Sequence, residues 1–543
     1  KRLGQLALAD INYVGAEVYY REALRFAATD EQKISIFLDL TPILIFLDTQ
    51  EALKTIEAAK RLYDNSAKSE KKVIADLELL HGRVLMNLGQ TKQARTHMLK
   101  AIENLGGLTT RVTLSDIEAR SDVAMLAGVT GMRTELIRYL SYTGAGRFDG
   151  SEFLRTKDTD LPICNPVEGI NPQDVTVVEF GIHNDGTVSY ARPVYSSGPQ
   201  KAALLFARAV KYWSWTPEEM KKIKPFFRLM TRIELRCSQK VAARPGVESL
   251  LSADYLGWIG STAELENDIK TYTEYARFLE SKLSSLSGRS ISSSEKRLSI
   301  EILRRLVNNP VVINKKKKKY LDLALDVARN ANAPVRTVVY LSLFRPYEDG
   351  KHFKKDLEAL YFSDVLKSDA TAKAALALHL VDLEKRGSNS AKVIKLLNET
   401  INTTELDEKN DLKIGAYIRL ASLYQQVGQP KNARTYFERS GLSPNQCAAL
   451  DSKPKLLTTG RSAKFYPKDL LRAGISGFTL TEYDITAEGH AVNRRTVMGY
   501  PPLAFSEASE KIVGQAKFEK SYRPDGGLGC ATDENFVRYT TSK

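Results

Sequence analysis

The sequence predicts an α+β protein in which two blocks of helical repeats alternate with two small modules, each ordered strand, strand, helix, strand. Three observations predict this class: glycine-centred helical hairpins in two regions, two stretches with apolar residues at alternate positions, and four cysteines that bracket those stretches. We expect helical repeats at residues 1–160 and 241–444, and the modules at residues 161–240 and 445–543.

The helical blocks are predicted from two hairpins that share one spacing. In each hairpin a corner glycine is followed, at identical gaps, by residues suited to a helix crossing: Gly89, Ala94, Met98 and Ala101, and then Gly428, Ala433, Phe437 and Ser440. Glycine suits the tight corner between two helices, and small residues let the second helix cross the first closely.

This spacing resembles the tetratricopeptide repeat, over residues 8–145 and 250–441. Copies of its second-helix half that lack the corner glycine occur at Ala16, Tyr20 and Ala23 and at Ala52, Ile56 and Ala59. The copies are farther apart than the family's usual repeat of about 34 residues, so we expect degenerate repeats and not a regular array.

The first module is predicted from VEFGIHNDGTVSYARPVYSSG, residues 178–198. Phe180 and Ile182 occupy alternate positions before an Asn-Asp-Gly turn, and the alternation resumes at Val188. A hairpin with one buried face requires this pattern.

An amphipathic helix and a third strand complete the first module. The helical stripe runs from Ala202 to Trp213, and the apolar run from Phe226 to Cys237 predicts the strand. We expect Trp213 and Trp215 to close the core of the module and not to form a surface for a partner.

The C-terminal region repeats this arrangement. A strand ending in Tyr483-x-Ile485 leads into a Glu-Gly turn, as the first strand leads into Asp-Gly. A helix is expected from Phe505 to Ala516, and NFVRYTT predicts the last strand. The two modules look like copies of one fold.

With Tyr466-Pro467 and Gly474-Ile475-x-Gly477 ahead of its first strand, the second module resembles the C-terminal domain of TonB. The first module is similar but lacks these two motifs, and the second has an extra segment, SYRPDGGLG, before its last strand. The resemblance implies a periplasmic domain whose exposed edge strand pairs with a short peptide from an outer-membrane receptor.

The last strand of each module is therefore the candidate partner-binding edge, because its unpaired N–H and C=O groups can accept another strand. The candidate residues are Phe536, Val537, Arg538 and Tyr539 in the second module, and Leu229, Thr231 and Ile233, within Leu229 to Leu235, in the first. The sequence leaves open which edge is exposed.

The four cysteines bracket the modules, with Cys164 and Cys237 around the first and Cys447 and Cys530 around the second. We expect disulfides in these pairs, each stabilising its module by roughly 4 kcal/mol, and hence an oxidising compartment such as the periplasm. The alternative is four separate buried thiols. Zinc is not expected, because no two cysteines are close in sequence and no histidine stands at ligand spacing.

The charge favours anionic partners: 79 Lys and Arg against 65 Asp and Glu give a net charge of +14. The run Lys315 to Lys319 could contact anionic lipid, lipopolysaccharide or cell-wall phosphate, but we favour a solvated helix start or loop. The serine-rich stretch upstream is interpreted as a flexible connection. Nucleic-acid binding is not expected, because no reading helix or basic surface with interleaved aromatics is recognised. No apolar run reaches the roughly 18 residues of a membrane-spanning helix.

Catalytic residues, cofactors and metals are not expected. The histidines are scattered and fit no metal-ligand or catalytic motif: His81, His97, His183, His352, His379 and His490. No phosphate-binding loop, nucleophile elbow or dinucleotide-binding glycine pattern is present.

These observations favour a non-enzymatic periplasmic adaptor or scaffold that binds envelope proteins, including an outer-membrane protein, through edge strands and a helical-repeat surface. One alternative is a self-assembling structural subunit of a cell-envelope complex, which would form large species. Another is a TonB-type energy transducer with an anchor outside this chain. A third is an enzyme that uses the modules for targeting, which would need a pocket of convergent ionisable groups.

Overall fold

The computed structural model of the chain describes residues 1–66, 69–110, 112–147, 161–239, 246–265, 272–286, 290–309, 311–344, 350–384, 390–459 and 462–541. None of the helices in these segments combines the length and the apolar character needed to cross a bilayer.

Helices occupy the first part of the chain, and each contacts the next. Several begin at a residue whose side chain accepts a hydrogen bond from a backbone N–H of the first turn: Asn12, Thr29, Asp48 and Thr113. The helices are α1 (Arg2–Ala9), α2 (Tyr13–Arg25), α3 (Asp30–Leu44), α4 (Thr49–Asp64), α5 (Lys71–Asn87), α6 (Thr91–Asn104), α7 (Leu114–Val129) and α8 (Arg133–Ser141).

The first set of strands follows. The hairpin is formed by β1 (Thr176–Ile182) and β2 (Val188–Ser196), and Gly186 in its turn has φ of +90°. It is followed by α9 (Gln200–Lys211), α10 (Pro217–Lys222), α11 (Pro225–Leu229) and β3 (Thr231–Leu235). Trp213 and Trp215 are 1% and 2% exposed, which confirms their expected place in the core.

A second series of helices comes next: α12 (Val247–Ile259), α13 (Tyr272–Leu286), α14 (Ser293–Asn308), α15 (Asn314–Asn330), α16 (Val335–Ser342), α17 (Gly350–Tyr361), α18 (Ala370–Leu383), α19 (Ser390–Ile401), α20 (Asp411–Gln426) and α21 (Pro430–Arg439). Most of them share one hydrophobic core, which includes Leu376, Leu397 and Leu420.

The repeat spacing correctly marked helix crossings in both helical blocks. Gly89 and Gly428 lie at the corners between α5 and α6 and between α20 and α21, and each has φ of +75°. The other marked residues are buried, except the partly buried Ala23: Ala16, Tyr20, Ala52, Ile56, Ala59, Ala94, Met98, Ala101, Ala433, Phe437 and Ser440.

The last part of the chain contains β4 (Leu456–Thr458), α22 (Ser462–Phe465), α23 (Lys468–Arg472), β5 (Gly477–Thr486), β6 (Ala491–Tyr500), α24 (Ser506–Val513), β7 (Lys517–Phe518) and β8 (Leu528–Tyr539). Strands β4 and β7 pair with each other in a separate two-stranded sheet.

The strands of the two predicted modules join in one six-stranded antiparallel sheet, ordered β2-β1-β3-β6-β5-β8. The joint is short: Glu234 and Leu235 of β3 lie opposite Gly499 and Met498 of β6. Just beyond β3, the Arg236 N–H donates to a β6 carbonyl over 2.8 Å. The modules are therefore continuous, because pairing across the joint satisfies a strand edge that would otherwise be exposed.

The first helical block packs against this sheet. Leu85 and Met98 of α5 and α6 share a hydrophobic core with Val177 and Val194 of the sheet. The sheet thus buries apolar side chains that helices of this block would otherwise expose.

Two local predictions need correction. Residues 225–229 form the helix α11 and not the start of a strand, since Pro225 is preset for a first helical turn. Much of the serine-rich stretch is helical, because Ser292 caps α14 in a capping box with Glu295, while residues 287–289 lie outside the described segments. The lysine run lies in the first turns of α15, as the helix-start interpretation predicts.

Candidate protein-interaction surfaces

Strand β8 is the terminal strand at one end of the sheet. In the described part of the chain its strand neighbour is β5, with which it pairs from Gly477 opposite Tyr539 to Thr486 opposite Leu528. A terminal strand carries a row of backbone groups directed away from its neighbour. This edge is the first candidate surface.

The four candidate residues of β8 have different environments. Val537 and Tyr539 are buried, and the Tyr539 ring stacks on Phe505 with centroids 4.2 Å apart. Phe536 is partly buried against Phe478, and Arg538 is exposed. Aromatic contacts therefore hold the strand in place, and the Arg538 side chain is exposed.

The other predicted edge is not open. Strand β3 lies between β1 and β6, and Thr231 and Ile233 are 3% and 0% exposed. Leu229 is exposed but belongs to α11. The sequence pattern identified the strand, but it could not predict that β3 pairs with β6, which lies more than 250 residues further along the chain.

At the opposite end of the sheet, side chains form hydrogen bonds with backbone groups of β2. The Asn87 side chain, at the end of α5, donates to the Val194 carbonyl over 3.0 Å and accepts from the Ser196 N–H over 3.1 Å. Its amide therefore bonds to β2 as the peptide group of a further strand would. Lys211 donates to the Val188 carbonyl at the other end of β2 over 3.1 Å. Nothing in the sequence pattern singled out Asn87.

A network of six charged side chains, four of them buried, connects the first helical block to the sheet. Arg83 bonds to Glu118 and Asp122 over 2.7 and 2.6 Å. Arg232 bonds to Asp122 and Glu179 over 2.5 and 2.8 Å. The remaining contacts run from Arg192 to Glu118 and Glu179 over 2.9 and 2.6 Å.

The network is balanced, with three positive and three negative groups in one site. Burial acts to raise the pKa of Glu179, but the charges of Arg192 and Arg232 outweigh it and hold the pKa far below its usual range. The carboxylate stays ionised, so the pairs persist at neutral pH. This face of α5 and α7 is occupied by the sheet of the chain itself and is not available to a partner.

The disulfides form in the expected pairs. Cys164 bonds to Cys237, with Cα atoms 4.9 Å apart, and Cys447 bonds to Cys530, with Cα atoms 5.7 Å apart. Both distances suit unstrained bridges. Such bonds are compatible with an oxidising compartment.

Two histidines, His81 and His97, form a cluster with Glu78 and Lys60 between α4, α5 and α6. The His97 Nδ1 lies 2.5 Å from Glu78, which also accepts a 2.6 Å hydrogen bond from Lys60. The His81 ring stacks on His97 with centroids 4.1 Å apart. In the described segments no group of three or more His, Cys, Asp or Glu side chains is placed to hold a metal ion.

Comparison with known protein families identifies one part of the chain. Residues 414–440, covering most of α20 and all of α21, match the family model of the tetratricopeptide repeat. This stretch is similar to a tetratricopeptide repeat. A search of curated proteins found no significant match.

The matched repeat agrees with the geometry around Gly428. Its second helix, α21, buries Ala433 and Phe437 against α20, as the repeat spacing predicts. Repeats of this type generally mediate protein-protein interactions through the surfaces that their stacked helices form. The match suggests that the second helical block is an interaction scaffold.

Proposed function

We propose that this chain is a non-enzymatic periplasmic adaptor that holds envelope proteins together, binding one of them along β8. The observation that carries the proposal is the unequal state of the strand edges. β8 is terminal, β3 is internal, and the β2 edge is bonded to Asn87 and Lys211.

Strand addition supplies the proposed binding mechanism. A partner segment laid along β8 would gain main-chain hydrogen bonds, and its alternate side chains would meet the exposed face of the strand. The aromatic anchors Phe536 and Tyr539 keep β8 extended before binding, which lowers the entropy lost on association. The partner expected from the resemblance to TonB is an outer-membrane protein.

The helical blocks and the disulfides support the remaining parts of the proposal. The tetratricopeptide-type repeat favours a scaffold over an isolated binding domain. Two disulfides favour an exported chain.

The test is mass spectrometry of proteins recovered with the tagged chain from a gently solubilised cell envelope. Val537→Pro removes a backbone donor from β8, and Arg538→Glu reverses an exposed charge on the same strand. Arg25→Glu, on the exposed side of α2, is the matched control. Circular dichroism and thermal unfolding establish that each variant folds.

The adaptor hypothesis predicts an outer-membrane partner that the control retains and both β8 variants lose. Recovery of the chain alone, in species of large mass, would replace it with the self-assembling subunit. Recovery of the same partner with all variants would show that β8 is not the binding edge.

A further inference from the structure

A cleft of about 1160 Å³ separates the second helical block from the C-terminal strands. One wall consists of residues from α18, α19 and α20. The other consists of β4, β7 with the residues that follow it, the turn between β5 and β6, and Asp533 of β8. A cleft of this size can hold several residues of a bound chain.

The wall on the strand side is fixed by the segment in which this chain departs from the TonB pattern. The Tyr522 N–H donates to the Ser422 hydroxyl over 3.3 Å, and Gln426 donates to the Lys520 carbonyl over 2.8 Å. Arg523 pairs with Asp451 over 2.6 Å in a buried site. The first two contacts join α20 to the segment after β7, and the third joins that segment to the chain before β4, so the cleft is built into the fold.

Apolar side chains line both walls. Val393 and Leu423 lie on the helical wall and Leu457 lies on the strand wall, each partly exposed, and the buried side chains of Val381, Leu397 and Phe518 lie behind them. At the cleft, Val427 is 53% exposed and Leu456 is 45% exposed. Two large apolar side chains that are exposed at one cleft favour an occupant that carries apolar side chains of its own.

The strand wall carries a second terminal strand. β4 pairs with β7, Leu456 lying opposite Phe518 and Thr458 opposite Lys517, and within the described segments β7 is its strand neighbour. An extended segment entering the cleft can therefore hydrogen-bond along β4 while its side chains reach the apolar lining.

Charged side chains of both signs line the cleft, so its preference depends on those that are not already paired. Among the acidic ones, Asp382, Glu384, Glu488 and Asp533 each pair with a basic side chain, and Glu519 is the fifth. Lys520 pairs with Glu488 over 2.5 Å, and Lys453 pairs with Asp533. Lys517 instead lies 2.8 Å from His490, and Lys455 donates to a backbone carbonyl, that of Glu384, over 2.5 Å. In the described part of the chain neither Lys455 nor Lys517 is paired with a carboxylate, so each can receive one from a ligand.

We infer that this cleft binds an extended, acidic segment of a partner protein, which adds to β4 as a strand. Its apolar side chains contact the lining, and its carboxylates pair with Lys455 and Lys517. Asp533 of β8 lies at the cleft, but the β8 residues proposed to bind a partner, Phe536 to Tyr539, do not line it, and neither binding event requires the other.

Isothermal titration of the full oxidised chain with defined probes tests the inference. The probe is a short blocked peptide that alternates valine with glutamate, and its control has lysine in place of glutamate. We expect saturable binding of the glutamate peptide and a much weaker response to the lysine peptide. Hydrogen exchange should show protection at residues 453–458.

Charge variants then locate the contact. Lys517→Glu should weaken binding of the glutamate peptide about tenfold, which corresponds to ~1.4 kcal/mol. The milder Lys517→Gln should weaken it less, and it keeps the test valid if the charge reversal perturbs folding. Lys511→Glu, on the exposed side of α24, is the matched control and should bind as the wild type does.

Three results would overturn the inference. They are equal binding of the two peptides, no binding of either, and protection that appears along β8 and not along β4. The last result would leave the β8 proposal standing, and binding at β4 that is unaffected by Val537→Pro would separate the two sites.

Discussion

At the residue scale, the network of charged side chains between the first helical block and the sheet is the feature most exposed to the loss of a single partner. Asp122 is fully buried and bonds to both Arg83 and Arg232. Replacing one member of such a network leaves charges that are neither paired nor hydrated. The network therefore makes the position of the first helical block on the sheet sensitive to single substitutions.

We predict that Asp122→Ala lowers the free energy of unfolding by roughly 3 to 5 kcal/mol, because two buried guanidinium groups lose a common partner. Urea unfolding followed by circular dichroism measures the change. Arg434→Ala removes one member of the exposed pair with Glu438 and should leave stability almost unchanged, because solvent screens that pair. Equal effects of the two substitutions would contradict the role assigned to the network.

The histidine cluster predicts acid sensitivity. Burial and the neighbouring His97 lower the pKa of His81 from 6.5 to about 4. The unfolded chain therefore binds a proton at higher pH than the folded chain, and stability falls as the pH drops from 6.5 towards 4.

Glu78 extends this loss to lower pH. Burial opposes its ionisation, but hydrogen bonds from His97 and Lys60 lower its pKa from 4.5 to about 2. Its contribution is present above pH 4.5 and is lost as the pH falls towards 2.

Measuring unfolding free energy against pH tests this prediction. His81→Phe should flatten the curve between pH 6.5 and 4, because the variant has no ring to protonate at this position. A slope that persists in His81→Phe would assign the pH dependence to other groups.

At the element scale, helix corners and strand edges determine which surfaces remain accessible. The corner of the matched repeat depends on Gly428, whose φ of +75° lies in the left-handed region. The two ends of the sheet differ in what contacts their outer edges. The Asn87 amide at the end of α5 bonds to β2, whereas the strand neighbour of β8 in the described segments is β5.

We predict that Gly428→Ala destabilises the chain by about 1 kcal/mol, because a Cβ disfavours this backbone conformation. Gly257→Ala, at an exposed position inside α12, should stabilise it by about 0.5 to 1 kcal/mol because alanine favours a helix. Thermal unfolding of the two variants should therefore shift in opposite directions. Shifts of the same sign would contradict the conformational argument.

At the scale of the whole molecule, disulfides and backbone pairing both hold the strand-containing parts of the chain together. The disulfides close loops of 73 and 83 residues, and β3 and β6 join the two sets of strands. The C-terminal segment that contacts α20 adds a link to the second helical block.

Removing either disulfide should lower stability by roughly 4 kcal/mol, since each bridge restricts a long loop of the unfolded chain. Paired Cys→Ser variants compared with the wild type in urea provide the measurement. Reductant should destabilise the wild type and leave a variant without both bridges unchanged. A wild type insensitive to reductant throughout unfolding would contradict this stabilising role.

The local elements of this protein could be predicted from its amino-acid sequence. Glycine corners at Gly89 and Gly428, the alternation around Phe180 and the cysteine positions all depend on nearby residues, so helical hairpins, a β-hairpin and two disulfide pairs could be predicted. The last strand was also located, although its residues start earlier, at Leu528.

How these elements pack together depends on contacts that form in the folded chain. The joint between β3 and β6, the closure of β2 by Asn87 and the cleft beside β4 bring together residues that lie far apart in the chain. Period and spacing describe one segment at a time, whereas the choice of a strand's neighbour depends on competition among all edges in the folded chain. The sequence could therefore name the candidate edges, but the packing of the whole chain determined which of them remained at an end of the sheet.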